Sequence, residues 1–472
     1  MENRTKRDLS ILNIVSDFEA KFTTGEVGYL SEKKFIRVIE YYEEEKLFAK
    51  ALEVCNLALG QYSFRAEFYI LKAKVLLQIN KPKKALKIIK NAEKISPFEL
   101  EIQLLKIKAL SILNEYVKVE TLINDLKSGA TKTDLPEILC AEASYYEIRK
   151  EYDLMYLALA KALLINVDDD FLYERVMLSV ELSKNYIQCI DLHLKIIDIR
   201  PYSYMAWYNL GHAYSFEGEY EKAIDAFEYS FIINKDFENG YLDCADLCMQ
   251  IKNFGKALSI LSEAIEYVES ECETLLLMAY CQIQLANFSD AKYNLFKAIK
   301  LDPYNDEVYF NLGVCYSKEN HWQNAIDAFH KAITLEDSTE DYYLHLGLSY
   351  YELGSFDKAG QYLRKAASKA PENSAYWCEY TKFLIKQGEI ELALDVLNEA
   401  EDYTFGADLL YCRSIILLRQ EKKGEAFELL SEALVEGFYF HTILFDIDPE
   451  LMLDTEICAI IKYYKIEQES HY

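Results

Sequence analysis

Between residues 204 and 237 the apolar positions follow the rhythm of an amphipathic helix twice over. Trp207, Leu210, Gly211 and Tyr214 fall at i, i+3, i+4 and i+7 and form one stripe. Tyr220, Ala223, Phe227 and Ser230 form a second, and Glu217-Gly218-Glu219 stands between them as a turn. These residues predict a helix–turn–helix unit of 34 residues. The pattern returns from Asp306 with Tyr309, Leu312, Gly313 and Tyr316, then Trp322, Ala325, Phe329 and Ala332. It returns again from Glu340 with Tyr343, Leu346, Gly347 and Tyr350, then Phe356, Ala359, Leu363, Ala366 and Pro371.

The small residues have a steric reason. Gly211, Gly313, Gly347 and Ala245 sit where the two helices of a unit should come closest. Ala223, Ala257, Ala291, Ala325, Ala359 and Ala393 do the same from the second helix. A lone unit cannot bury its apolar faces, so the units must stack. Carried both ways, the register gives about twelve units over 32–440, starting near 32, 66, 100, 136, 170, 204, 238, 272, 306, 340, 374 and 407. Unit 100–135 departs from the pattern: Ile107 and Val119 replace the small residues and the unit is two residues longer. Unit 170–203 uses Met177 and Cys189 instead. Residues 1–31 predict a capping helix with the stripe Ile11, Val15, Phe18 and Phe22, ended by Gly25 and Gly28. Residues 441–472 predict closing helices, with Asp448-Pro449 as an N-cap and first-turn proline ahead of Ile457, Ile460, Ile461 and Tyr464.

Glycine, alanine and aromatic residues at this period resemble the tetratricopeptide repeat (TPR). The resemblance implies an all-α solenoid, a right-handed superhelix of antiparallel helix pairs, similar to long bacterial proteins made only of such repeats and short caps. It also implies that positions 2, 5, 6, 9, 12 and 13 of each first helix line a concave groove for peptides. The groove candidates are Tyr208, Asn209, His212, Phe216, Asp243, Asp246, Glu273, Tyr280, Glu307, Phe310, Asn311, Asp341, Tyr351 and Glu352. Over the five units from 204 to 373 these positions hold six acids and one base, Lys318, with aromatic rings between them. The expected partner is therefore a basic peptide or protein segment with apolar anchors. The carboxylate clamp of co-chaperone repeats needs Lys, Asn and Arg where this chain has Tyr208, His212, Asp243 and Asp246. The asparagine ladder of repeat-bearing glycosyltransferases is met only by Asn209 and Asn311, with Arg175, Asp243, Leu277, His345 and Glu379 elsewhere.

Composition adds constraints. Glycine (16) and proline (7) are scarce, which suits long helices joined by short links. The net charge of −27 is uneven, +3 over residues 1–150 and −30 over 151–472. Such a chain repels nucleic-acid phosphates and anionic membranes. The lysines Lys81, Lys83, Lys84, Lys87 and Lys90 share one second helix, where they read either as a solvated face or as a dock for an acidic partner. Eleven scattered cysteines include no CxxC pair, and Cys244 and Cys248 fall on a buried face, so a reducing, cytoplasmic setting is expected. No secretory leader is expected at the start. No phosphate-binding, metalloprotease or nucleophile motif occurs, and the histidines are dispersed, so neither catalysis nor a cofactor is expected.

Overall fold

The computed structural model describes residues 2–23, 28–268 and 271–469. Every regular element among them is helical: twenty-seven α-helices and two short 3₁₀ helices. Twenty-four of the helices form twelve consecutive pairs. The first helices begin at Glu32, Ala66, Leu100, Leu135, Asp170, Tyr204, Glu238, Cys272, Asp306, Glu340, Ser374 and Ala407, and these pairs are numbered here as repeats 1 to 12, with positions in repeat 4 counted from Pro136. The chain divides into two compact units, Met1–Asn234 and Lys235–Tyr472, with repeats 1–6 in the first and 7–12 in the second.

Within a repeat, the closest approach falls at position 8 of the first helix. A Cβ added at Gly313 would lie 2.5 Å from the Phe329 ring, one at Gly211 would lie 2.7 Å from Phe227, and one at Gly347 would lie 2.8 Å from Leu363. Leu210, Ala223, Ala325 and Ala359 are fully buried around these contacts. Trp207 and Tyr214 are only half-buried. In several repeats the residue at position 4 is Trp or Tyr, and its polar tip bonds the loop that enters the repeat. Trp207 Nε1 donates to the Pro201 carbonyl at 2.8 Å, Trp377 Nε1 to Pro371 at 2.9 Å, and the Tyr173 hydroxyl to Val167 at 3.0 Å. In each case the acceptor lies six residues back, in the loop that enters the repeat. Tyrosine and tryptophan suit this place because one end packs and the other satisfies a loop carbonyl.

Every repeat turns through a left-handed residue at position 15. Gly218, Gly354 and Gly388 have φ of 79°, 79° and 82°, and Lys46, Asn80, Asn114, Lys150, Lys184, Lys252, Ala286, Asn320 and Glu421 lie between 54° and 61°. The next amide then reaches back to close the helix end, as Glu219 N does to the Tyr214 carbonyl at 2.9 Å.

The N-terminal helix Glu2–Thr23 buries Val15 and Phe18 against Phe35, Val38 and Tyr42 of repeat 1. Its Glu19 carboxylate accepts from the Tyr42 hydroxyl (2.9 Å) and from Lys50 (2.6 Å), and the lysine lowers its pKa. Gly25 lies outside the described residues. At the other end Ile457 is buried, with Ile460, Ile461 and Tyr464 packed behind it. The capping differs from the sequence expectation. Asp448 accepts from Glu450 N and caps only the 3₁₀ turn Pro449–Leu453. The final helix starts at Thr455, and Asp454 caps it by accepting from Glu456 N at 2.9 Å and Ile457 N at 3.2 Å. The proline fixes the first turn but not its continuation, and a second aspartate restarts the helix. None of the described helices is long and apolar enough to cross a membrane.

Candidate functional site: the first-helix face

A concavity of about 1100 Å³ in the first unit lies in front of the first helices of repeats 3, 4 and 5. Positions 2, 5, 6, 9 and 12 of these helices supply much of its wall. The space has a local cause: repeat 4 places Cys140, Ala141 and Ser144 at positions 5, 6 and 9, all too small to fill it. Leu104, Leu105, Ile148 and Phe171 give it apolar walls, and Phe171 is 62% exposed. The long link after repeat 3 carries Lys132 to the rim.

Arg175, at position 6 of repeat 5, is locked in place across the floor. Its guanidinium donates to Ser144 Oγ at 3.2 Å and to the Cys140 carbonyl at 3.5 Å, and lies 3.9 Å from Glu147 and 6.0 Å from the Phe171 ring. Burial pushes the Cys140 thiol up, against the opposing pull of Arg175. Lys74 and Glu101 form an ion pair on one side. Lys108 and Lys132 are exposed lining residues with no ion pair among the described residues. The result is an apolar trough with fixed charge of both signs. It suits a peptide with one anchoring side chain and several polar groups.

The sequence-predicted residues fall in both units. In the first, Tyr208, His212 and Phe227 form a ring cluster with centroids 4.6–5.8 Å apart. Phe216 is half-exposed and stacks on Tyr186 at 4.8 Å. Asn209 departs from the expectation. It is 1% exposed, and its amide donates to the Tyr173 carbonyl at 3.0 Å, tying repeat 6 to repeat 5. Position 6 here sits too close to the preceding helix to face a groove.

In the second unit Asp246, Glu273, Glu307 and Glu352 are exposed, as is Lys318, and Asp243 is half-buried. Tyr280 is 40% exposed, with its edge toward Phe254. Four residues are more engaged than expected. Phe310 is half-buried among Phe329, Tyr342 and His345, at 4.9–5.7 Å. Asp341 accepts from the Tyr376 hydroxyl at 2.8 Å, and Asn311 donates to the Glu307 carbonyl of its own helix at 2.9 Å. Tyr351 packs against Phe356 and Phe383. The trough at repeats 3–5 was missed by sequence reasoning, which followed the best-formed units. Its signal was the run of small residues at positions 5, 6 and 9 of repeat 4.

Residues 194–225 and 295–327 match the family model described as "Tetratricopeptide repeat". The chain carries tetratricopeptide repeats. Residues 318–400 of this TPR chain also match the model "Anaphase-promoting complex, cyclosome, subunit 3". No curated protein matches the sequence. Among solved structures it is similar to a tetratricopeptide repeat protein from Parabacteroides merdae, with 14% identity, a TM-score of 0.42, and coverage of 51% of this chain and 97% of that one. It is similar to the APC/C hetero-tetramer Cut9-Hcn1, with 14% identity, a TM-score of 0.38, and coverage of 92% and 95%. It is also similar to YrrB, "a TPR protein with an unusual peptide-binding site", with 17% identity, a TM-score of 0.34, and coverage of 39% and 95%.

Proposed function

We propose that this TPR protein is a non-catalytic scaffold that holds extended or helical segments of partner proteins against the first-helix faces of its repeats. The observation that carries the reading is the trough of about 1100 Å³ at repeats 3–5, with its apolar walls and the locked Arg175. The second unit adds a finer expectation. Exposed Asp246, Glu273, Glu307 and Glu352 outnumber Lys318, and Tyr280 stands among them, so its partner segment is basic with an apolar anchor. Buried thiols suit a reducing cytoplasmic setting.

The test is a peptide array probed with the full chain, followed by titration of the hits at low and high salt. Phe171→Ala should raise the off-rate of peptides held at repeats 3–5, as loss of an anchor does. Replacing Asp243 and Asp246 together by Asn should slow association of basic peptides, because exposed charges act mainly on the on-rate. Hits indifferent to all three substitutions, or an acidic consensus for the second unit, would overturn the respective site. The family match over 318–400 favours a second reading, an assembly subunit of a larger complex. Co-purification of a stable stoichiometric partner, with no array hits, would select it.

A further inference from the structure

The second helix of repeat 2, Pro82–Ile95, lies on the opposite side of its pair from the first-helix face. Lys83, Lys87, Lys90 and Lys94 recur on it at intervals of four, three and four residues, which sets them in one stripe. Lys81 and Lys84 flank the stripe at its start. All six are exposed, and among the described residues none makes an ion pair, a side-chain hydrogen bond or a ring contact. The neighbouring first helices differ. Lys72 donates to Asn56, Lys74 pairs with Glu101, and Lys106 pairs with Glu93 at 2.7 Å. Glu93 is the one acid on the lysine helix, and it is already committed to Lys106.

The placement also opposes the helix itself. No acid occupies the first turn, where the amide dipoles favour negative charge, and Lys83 and Lys84 stand there instead. The helix dipole is opposed by these two first-turn lysines, whose field adds to that of the free amides, and only Lys94, in the last turn, suits it. At 1.5 Å per residue the stripe is roughly 16 Å long. Just beyond its end stands Phe98, which is 97% exposed.

We propose that this stripe docks an acidic peptide segment of a partner protein: a short run of Asp and Glu with one apolar residue toward Phe98. Charge complementarity selects the sign of the ligand, and the length of the stripe selects its size. Lysines are point charges without a fixed fork, so they accept carboxylates on a helix or a strand alike. A short segment fits better than an extended polyanion or a membrane, because residues 151–472 carry −30 and repel a large anionic surface. The site is distinct from the first-helix face and stands or falls independently of it.

The test titrates the full chain with a fluorescein-labelled peptide of Glu and Asp residues ending in Leu. Parallel arms use a double-stranded DNA oligonucleotide and phosphatidylserine/phosphatidylcholine vesicles. Binding of the peptide should weaken with salt. It should fall by about tenfold or more when Lys83, Lys87, Lys90 and Lys94 are all changed to Gln, since several weak exposed contacts are lost together. Changing Lys358, Lys365 and Lys369 to Gln, on the second helix of repeat 10, should leave it unchanged. Circular dichroism and the melting curve show that each variant is folded. Equal loss in both variants, no peptide binding, or preferential binding of vesicles or DNA through the same lysines would overturn the proposal. So would self-association of the chain that the first variant abolishes, because the occupant would then be a second copy.

Discussion

Repeats 9 and 5 solve the same packing problem in opposite ways. At the closest approach of its two helices, repeat 9 sets Gly313 against Phe329. Repeat 5 places Met177 at the glycine's position and His193 at the phenylalanine's, and both reach the thiol of Cys189, Sγ lying 3.9 Å from Met177 Sδ and 3.4 Å from His193 Nδ1. Intermediate versions exist: Ala245 with Leu261, Ala279 with Leu295, and Ile39 with Cys55, all fully buried. The crossing is therefore filled by different divisions of bulk between the two helices. Glycine is the solution that leaves room for the largest partner.

Gly313→Leu should break repeat 9 with the largest effect expected here. A Cβ alone would stand 2.5 Å from the Phe329 ring, and leucine adds three carbons beyond it. The cost should reach about 3 kcal/mol, the upper end of ordinary overpacking, read as a shift of the urea midpoint. The comparison also predicts a rescue. Gly313→Ala with Phe329→Leu recreates the pair found in repeats 7 and 8, and the double variant should be more stable than Gly313→Ala alone. A double variant worse than both single ones would show that the two positions do not share one volume.

The same comparison explains what could be read from the sequence. The period of 34, the paired helices and the glycine–phenylalanine crossings were legible because each repeats, and repetition separates packing demands from accident. Ligand-facing residues do not repeat, and there the register alone was not enough. Asn209 has a groove position by count, yet its amide is spent on the Tyr173 carbonyl of the preceding repeat. Phe310 packs with three other rings, a result that depends on Tyr342 and His345 one repeat away. The trough at repeats 3–5 arises where the pattern departs from the family, in the long link and the small residues of repeat 4. A search for the strongest repeats passes over such a place.

Repeat 5's solution has a liability that repeat 9's lacks, and pH should expose it. His193 is fully buried. Its Nδ1 lies 2.9 Å from the Cys189 carbonyl, a distance at which it donates, and its Nε2 has no hydrogen-bond partner among the described residues. Burial pushes its pKa down from 6.5 to about 4. The rings and thioether around it, Tyr173 and Met177, bring no counter-charge. Between these two values the unfolded chain binds a proton that the folded repeat refuses, so stability is full above pH 6.5 and falls as pH drops toward 4. The loss is bounded at about 3 kcal/mol for a shift of this size. His193→Leu places the residue found at this position in repeats 7, 8 and 10, and should remove that part of the acid sensitivity. His330 and His345 are also lowered by burial and should keep theirs. Melting temperatures of both proteins from pH 7.5 to 4 measure the difference; parallel curves would mean that His193 is not held neutral.

The smallest effects belong to the turns, where the twelve repeats share one backbone shape but not one residue. Gly218 adopts φ of 79°, and an added Cβ there would meet nothing within 4 Å, so Gly218→Ala carries the left-handed strain alone. The expected loss is about 1 kcal/mol. Repeat 8 offers the reverse experiment. Ala286 holds φ of 60° with no side-chain hydrogen bond available to offset the strain. Ala286→Gly relieves it and at the same time loosens the unfolded chain, so the two terms oppose each other and the net gain should stay below about 1 kcal/mol. Asn320, of a residue type that tolerates this region, should gain less from the same change than Ala286 does. Urea midpoints of Gly218→Ala, Ala286→Gly and Asn320→Gly should therefore rank as one loss, one clear gain and one small gain. If Ala286→Gly destabilises, the left-handed turn is held by contacts of the alanine methyl, and the strain assigned to that position is wrong.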